Sequence, residues 1–543
     1  MSLRRLVMRV GMALAAGIAA PIAASAAGAA FQLPPVPTSG FDARDGAARR
    51  VDRIEFHGNR SLRTSALQAA SVAYLGRDLT AVDIEELRVA LTHEYTDRGF
   101  INSGLVLDSH APYRDGVLSF LVIEGAITEV RVHGVRGLRT AYVEDRLRGE
   151  GGEALNTNVL RARFQRLLDD PLFARINSRI QPGANPGEAI LDVDVKRARP
   201  YSFAFALNNY RPPSIGSRAY ELSAQLRDLT GLGDTVDLGI TGPLKFSGGI
   251  GFNIGFRLPV SRHGTEISLS AAKTNTVVTE DPLSALHIRS TVERQELKLT
   301  QPLWRAADQQ LSASASIARE RNSTTLDDSA FSFLPGANDG VTRSVTARVY
   351  VDYSYRSEHQ YLGARLTVLH ANLLGYHEGT VDYARPDQKY FVWIGQLHHL
   401  LQFAPWPFEL ESRATLQRTH SVVSDLHALE LGGVGSVRGF RENEVLRSNV
   451  GNFNADLRWR AFSGDGSYRP SLAFGVFFDW GAGHNAGQTT DTFSSWGVTL
   501  RGRWTHAQAD LSVGEPLIRP GSVAEQHSDW QDHGIHLQLL TTF

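Results

Sequence analysis

Arg438 and Asp479 are the two residues of this chain whose types and placement could do chemistry together. Arg438 belongs to Val437-Arg438-Gly439-Phe440, inside a long glycine-rich connection within a region of alternating strands. Further along comes Phe477-Phe478-Asp479, on a strand whose apolar positions are Leu472, Phe474, Val476, Phe478 and Trp480. Successive strand side chains point to opposite faces, so Phe477 and Asp479 fall on the more polar one. A guanidinium keeps its proton, so an arginine enclosed by a sheet needs a carboxylate or a wet cavity. Asp479 can offer bidentate acceptors, and Phe477, one pleat below, an aromatic surface. Gly439 permits a tight turn that places Arg438 and Phe440 on different sides. The chemistry expected is a charged lock on a loop; on these residues alone, a solvated loop arginine beside an ordinary carboxylate competes with it.

Other chemistry is poorly supported. The chain has no cysteine, which removes disulfides, thiolate metal sites and cysteine nucleophiles. The glycines at 432–435 do not open a helix after a strand, so no phosphate cradle is expected. His398-His399 and the other histidines lack metal-ligand spacing, and no metal or cofactor is predicted. Asp192-Val193-Asp194 reads as solvated strand carboxylates, and no Ser/His/Asp arrangement stands out. An enzyme is not expected. Lys and Arg number 56 against 57 Asp and Glu, so nothing points to a nucleic-acid partner.

The elements that must position Arg438 and Asp479 form a chain of strands. From Tyr201 onward, alternating segments are separated by Gly, Pro, Asp, Asn and Ser clusters. Tyr201, Phe203, Phe205 and Leu207 share a face, as do Ile250, Phe252, Ile254, Phe256 and Leu258. Breaks at the turn clusters give sixteen strands, from 201–210 to 533–543, with the arginine loop at 421–448. Even-numbered connections are short and several odd-numbered ones long, as in bacterial membrane barrels. An even count returns the chain end to the first strand and removes sheet edges. Mean hydropathy of -0.20 does not oppose this, because lipid-facing and lumen-facing residues cancel. The last segment alternates Ile535, Leu537, Leu539 and Thr541 and ends on Phe543.

Ahead of the strands lie an export address and a duplicated unit. Arg4, Arg5 and Arg9, the apolar stretch Val10 to Ala24 and small residues at 24–29 read as a signal peptide over 1–30. A linker follows at 31–50. The order β-α-α-β-β then occurs at 51–125 and again at 126–198. In the first unit Val82, Leu87, Leu91 and Tyr95 form a helical stripe, Thr80 and Asp83 a capping arrangement, and Gly99 a stop.

The duplicated unit resembles the POTRA domain, most closely at Arg98-Gly99-Phe100-Ile101, Asp115-Gly116-Val117-Leu118 and Val122-Ile123-Glu124-Gly125. Val437-Arg438-Gly439-Phe440 resembles the tip of the sixth extracellular loop in the superfamily that includes BamA. A short POTRA array before a sixteen-stranded barrel is similar to the two-partner-secretion transporters, the ShlB/FhaC/HecB-type haemolysin secretion/activation proteins. The implied fold class is α+β tandem POTRA domains followed by a 16-stranded antiparallel transmembrane β-barrel at 199–543. The resemblance implies that Arg438 folds into the lumen onto Asp479 of the motif formed with Phe477. It implies that Phe543 is the signal read by the barrel-assembly machinery. The implied setting is the bacterial outer membrane and its lipid, with the POTRA domains in the periplasm and the protein a monomer.

The implied function is export of a large partner protein, an adhesin or haemolysin, captured by the POTRA domains through strand addition and drawn out by its own folding. A BamA/TamA-like assembly factor and a passive porin are the alternatives. Two POTRA domains favour export. Members of the family often carry a helix that plugs the lumen; Gly40 and Gly46 argue against one here.

Overall fold

The computed structural model describes residues 48–543 apart from 150–151, 246–247, 307, 334–336, 376–385, 463–469 and 524–525. The signal peptide and most of the linker expected from the sequence lie outside the described residues, as does the question of a plug. The described chain forms two units, one ending at Arg199 and one spanning Pro200–Phe543.

The first unit holds two α/β modules. In the first, the strand Arg53–His57 runs parallel to Val117–Ile123, which pairs antiparallel with Gly104–Leu107. Helices Thr64–Ser71 and Ala81–Thr96 cover the sheet, and Thr80 and Asp83 form a complete capping box. The buried stripe of the second helix is Ile84, Leu87, Leu91 and Tyr95, whereas Val82 is exposed. Val82 precedes Leu87 by five residues, a separation that a 3.6-residue turn does not bring onto one face. A short pair, Arg49–Val51 with Arg77–Leu79, was not legible in the sequence.

The motif residues of this module are structural joints. The Glu124 carboxylate accepts from the backbone N–H groups of Arg60 and Ser61 at 2.8 and 2.7 Å and from the Tyr95 hydroxyl at 3.0 Å. Gly99, at φ +93°, has its carbonyl bonded by Thr157 N–H at 2.9 Å, and Arg98 O accepts from Asn156 Nδ2 at 2.9 Å. Asn156 also caps the helix Thr157–Leu168. The turn that ends a helix in one module thus seats a helix start in the next. The second module repeats the order, with Ala126–His133 parallel to Glu188–Arg197 and Phe173–Pro182 completing its sheet. Its helices are Ala141–Arg148 and Thr157–Leu168.

The second unit is a closed antiparallel barrel of sixteen strands. The first eight are Tyr201–Asn208, Ala219–Arg227, Thr235–Pro243, Gly251–Pro259, Glu266–Val277, Arg289–Arg305, Gln309–Leu326 and Val341–Arg356. The ninth to twelfth are Gln360–Leu374, Lys389–Gln402, Phe408–Arg418 and Asn449–Phe462. The thirteenth to sixteenth are Ser471–His484, Asp491–Arg503, Ala507–Ile518 and Ile535–Thr542. The two-residue strand Ser329–Ala330 folds back antiparallel on the end of the seventh.

Among the described residues no helix is long and apolar enough to cross a membrane. The barrel strands carry large apolar side chains outward, among them Phe252, Ile254, Phe391, Trp393, Trp459 and Trp480. Connections such as 357–359 and 504–506 are short at the rim bearing the chain ends, whereas 419–448 and 519–534 are long at the far rim. The first and last strands join by only five residue pairs, Asn208↔Gln538 to Ala204↔Thr542. Phe543 extends the join through two backbone hydrogen bonds with Phe203, while its ring is exposed. On the other side, the Asn209 amide continues the ladder by bonding Ile535 O and Leu537 N at 2.8 Å.

The thirteenth strand runs past Trp480 to His484. Gly481 and Gly483 are strand positions in this stretch, and their bareness makes room. A Cβ on Gly481 would stand 2.9 Å from both Leu431 and Val437, and one on Gly483 2.9 Å from Leu431.

Candidate functional site

The connection between the eleventh and twelfth strands turns inward. Leu429–Leu431 pairs with Val445–Arg447 as a small hairpin neck, and the segment between them forms a tip. Val437, Arg438, Phe440, Arg441 and Glu442 are all buried there. Their wall partners lie on the face opposite the exposed Phe474, Val476, Phe478 and Trp480, which places the tip in the lumen.

Arg438 is bound on three sides. Its Nε and Nη2 donate to the two oxygens of Asp479 at 2.7 Å each, and its backbone N–H reaches Asp479 Oδ2 at 3.0 Å. Nη1 and Nη2 donate to Asp456 at 2.9 and 3.0 Å. The guanidinium carbon lies 3.7 Å from the centre of the Phe477 ring. Asp456 and Asp479 are 1% and 0% exposed, so their attraction for Arg438 is little weakened by water.

Asp456 was missed from the sequence. Phe477 stands opposite it on the adjacent strand, and Asn454 stands opposite Asp479. The charges continue along the wall: Arg458 bonds Glu409 at 3.0 Å and Glu411 at 2.5 Å, and Arg501 bonds Asp510 at 2.5 Å.

Gly439 turns the chain at φ +88°, a conformation that costs other residues a clash. Its backbone lies against Gly514 on the fifteenth strand, 3.1 Å from where a Cβ would point. Phe440 then meets Phe493 edge-on at 5.0 Å, in a cluster with Leu431, Val437, Val450 and Val523.

Residues 187–502 match the family of haemolysin secretion/activation proteins ShlB/FhaC/HecB, and residues 50–125 match the ShlB-type POTRA domain. The chain belongs to the haemolysin secretion/activation family. It is similar to the outer membrane transporter CdiB of Dickeya dadantii, 21% identical over 89% of this chain and 86% of that protein. A CdiB of Escherichia coli is 23% identical over 89% and 81%. Among solved structures, CdiB from Escherichia coli superposes with a TM-score of 0.71 at 18% identity, covering 94% of this chain and 93% of that one. BamA from Haemophilus ducreyi, lacking POTRA domains 1–3, gives 0.56 at 13% identity over 92% and 100%. As a member of this family the protein is an outer-membrane two-partner-secretion transporter, and such transporters export partner proteins.

In this transporter a second arginine ties the tip to the far rim. Arg441 donates to Glu280 at 2.9 and 3.1 Å, to Asp532 at 2.5 and 2.9 Å, and to Ser528 Oγ at 2.9 Å. These partners come from the connections before the sixth strand and before the sixteenth. Burial alone would depress the Arg441 pKa; Asp532 and Glu280 outweigh it and raise the value. Burial pushes the Asp532 carboxyl up, but Arg441 and neighbouring N–H groups hold it below the ordinary value. The next residue, Glu442, donates its N–H to Gln531 Oε1 at 2.8 Å, and Gln531 Nε2 bonds Asn209 O and, at 2.8 Å, Arg211 O. The signal available was an arginine directly after the Val-Arg-Gly-Phe tetrad; its partners 161 and 91 residues away were invisible.

Proposed function

We propose that the inward tip is the gate of a protein-export pore, held in the lumen by Arg438 and released to let an extended partner pass. The buried bonds of Arg438 to both Asp479 and Asp456 carry this reading. A guanidinium between two carboxylates on a pore wall is a contact that water or a passing chain can replace group by group. The cargo is a large secreted protein of the adhesin or haemolysin class. The modules at 51–125 and 126–198 act as a POTRA pair that receives it in the periplasm, by strand addition to a free sheet edge.

The barrel spans the outer membrane as a monomer. The exposed aromatic and aliphatic outer face supports contact with lipid. Phe543, ending an amphipathic last strand, serves as the mark recognised by the assembly machinery. No chemistry on the substrate is assigned to the pore.

Arg438→Ala tests the gate. We expect a barrel that assembles and shifts on heating as the parent does, leaks ions through the unlatched lumen, and exports little of its partner because the freed tip wanders across the path instead of leaving it in order. Near-normal secretion would overturn the gate. Deleting the protein should remove one large secreted protein from the medium; general loss of outer-membrane barrels would instead mark an assembly factor.

A further inference from the structure

The loop that carries Arg438 has a second buried attachment, to the seventh and tenth strands. His427 lies eleven residues before Arg438 and is almost wholly enclosed. Its Nε2 is 2.7 Å from Glu320 on the seventh strand, and its Nδ1 is 2.5 Å from the Tyr390 hydroxyl on the tenth. Glu320 is itself held by Arg348 at 2.9 Å and Arg294 at 2.8 Å. The Tyr390 oxygen also accepts from Ser424 N–H at 3.2 Å, and Gln417 Nε2 donates to His427 O at 3.1 Å.

The wall beneath this segment is unusual for a pore. Leu369, Ala371 and Leu373 of the ninth strand and Tyr390, Val392 and Ile394 of the tenth are buried together with Val423 of the loop. Phe391 and Trp393, which alternate with the tenth-strand residues, are exposed on the outside, so that strand is apolar on both faces here. Lifting the loop base would put that inner face in water, an unfavourable transfer. The tip is held by ion pairs, of Arg438 with Asp456 and Asp479 and of Arg441 with Glu280 and Asp532, beside an apolar cluster in which Leu431, Val437 and Phe440 meet Val450, Phe493 and Val523. A passing chain can replace the polar partners one by one.

We propose that residues 421–428 are a permanent part of the barrel wall, with His427 and Glu320 as positioning residues, and that only the tip beyond Leu431 leaves the lumen. The inference rests on the gate reading given above. It makes the gate an arm fixed at the seventh, ninth and tenth strands and latched at the twelfth and thirteenth. The channel opened by the tip is then bounded by the twelfth to sixteenth strands.

Two engineered disulfides in this cysteine-free chain separate the possibilities. Asp387→Cys with Val422→Cys staples the base, where Asp387 N–H bonds Val422 O at 2.7 Å. Ser436→Cys with Asn454→Cys staples the tip, where the Asn454 amide bonds Ser436 O. Export is compared in the oxidised and reduced full-length transporter. The oxidised tip staple should cut export about tenfold or more, and the oxidised base staple should leave it within about twofold. His427→Ala should lower export, and adding the base staple should restore it, which a general packing defect would not allow. If both staples block export, the base moves and the division is overturned while the gate survives. If neither does, the gate falls and the division with it. Failure of the base staple to rescue His427→Ala overturns the positioning role.

Discussion

Asp456 and Asp479 face the lumen from adjacent strands and hold the guanidinium of Arg438 between them, each through two side-chain hydrogen bonds. Arg438 is the one group that both carboxylates bind, so it is the member the arrangement least tolerates losing. Removing one partner of a buried pair costs about 3–5 kcal/mol. Arg438→Ala should therefore free the tip more than Asp479→Ala or Asp456→Ala, because either aspartate variant keeps one charged partner. Hydrogen exchange of residues 431–444 would rank the three. Equal protection in all three variants would refute the shared lock.

Arg438→Lys should behave much closer to alanine than its charge suggests. An ammonium cannot bridge two carboxylates in the planar fork that a guanidinium uses. Exchange or protease sensitivity of the tip at parent levels in Arg438→Lys would show that charge alone suffices.

Gly439→Ala should loosen the tip by about 1–2 kcal/mol, from the left-handed backbone penalty alone. Its close approach to Gly514 adds to that. The matching change Gly514→Ala tests the approach without altering the tip's own backbone. Parent-like exchange of the tip in both variants would argue that the backbone can shift to make room.

The Arg441–Asp532 clasp should resist mild acid. Asp532 has a folded-state value depressed below 3.8, so its stabilisation is present above the unfolded value and disappears as pH falls through the folded one. Ion leak through the reconstituted pore should stay flat from about pH 8 to 5 and rise only below about pH 3.8. Asp532→Asn should leak at neutral pH. A parent leak that begins rising near pH 6 would place the sensitivity elsewhere.

Glu124→Ala should destabilise the first module by about 2–3 kcal/mol, because it removes charge-assisted bonds and strips the buried Tyr95 hydroxyl of its acceptor. Thermal unfolding with exchange read over residues 81–96 would detect it. Unchanged protection there would mean that Tyr95 finds another acceptor.

The barrel was readable because alternation survives in nearly every strand, and one-residue errors would turn Phe474, Val476 and Phe478 inward. The Arg438–Asp479 contact was expected because Val437–Phe440 and Phe477–Asp479 resemble motifs of the family. Asp456 was not. Its inward placement follows from the outward Phe453, Leu457 and Trp459, but its nearness to Asp479 depends on register between two strands, which local pattern does not encode. The same holds for His427 and Glu320, joined across 107 positions. Gly481 and Gly483 lie within the thirteenth strand for a different reason. Glycine marks turns by its conformational freedom, whereas here its missing side chain is what matters.

The five-pair join between the first and last strands also governs how the molecule can be made. It links Ala204–Asn208 to Gln538–Thr542 across almost the whole barrel sequence. Contacts so distant along the chain form late, since every intervening segment must be ordered first. Until the final residues arrive, the sheet has two open edges with unpaired backbone groups, the condition most prone to aggregation. Loss of the last strand would therefore be far more harmful during folding than its short pairing in the finished barrel suggests.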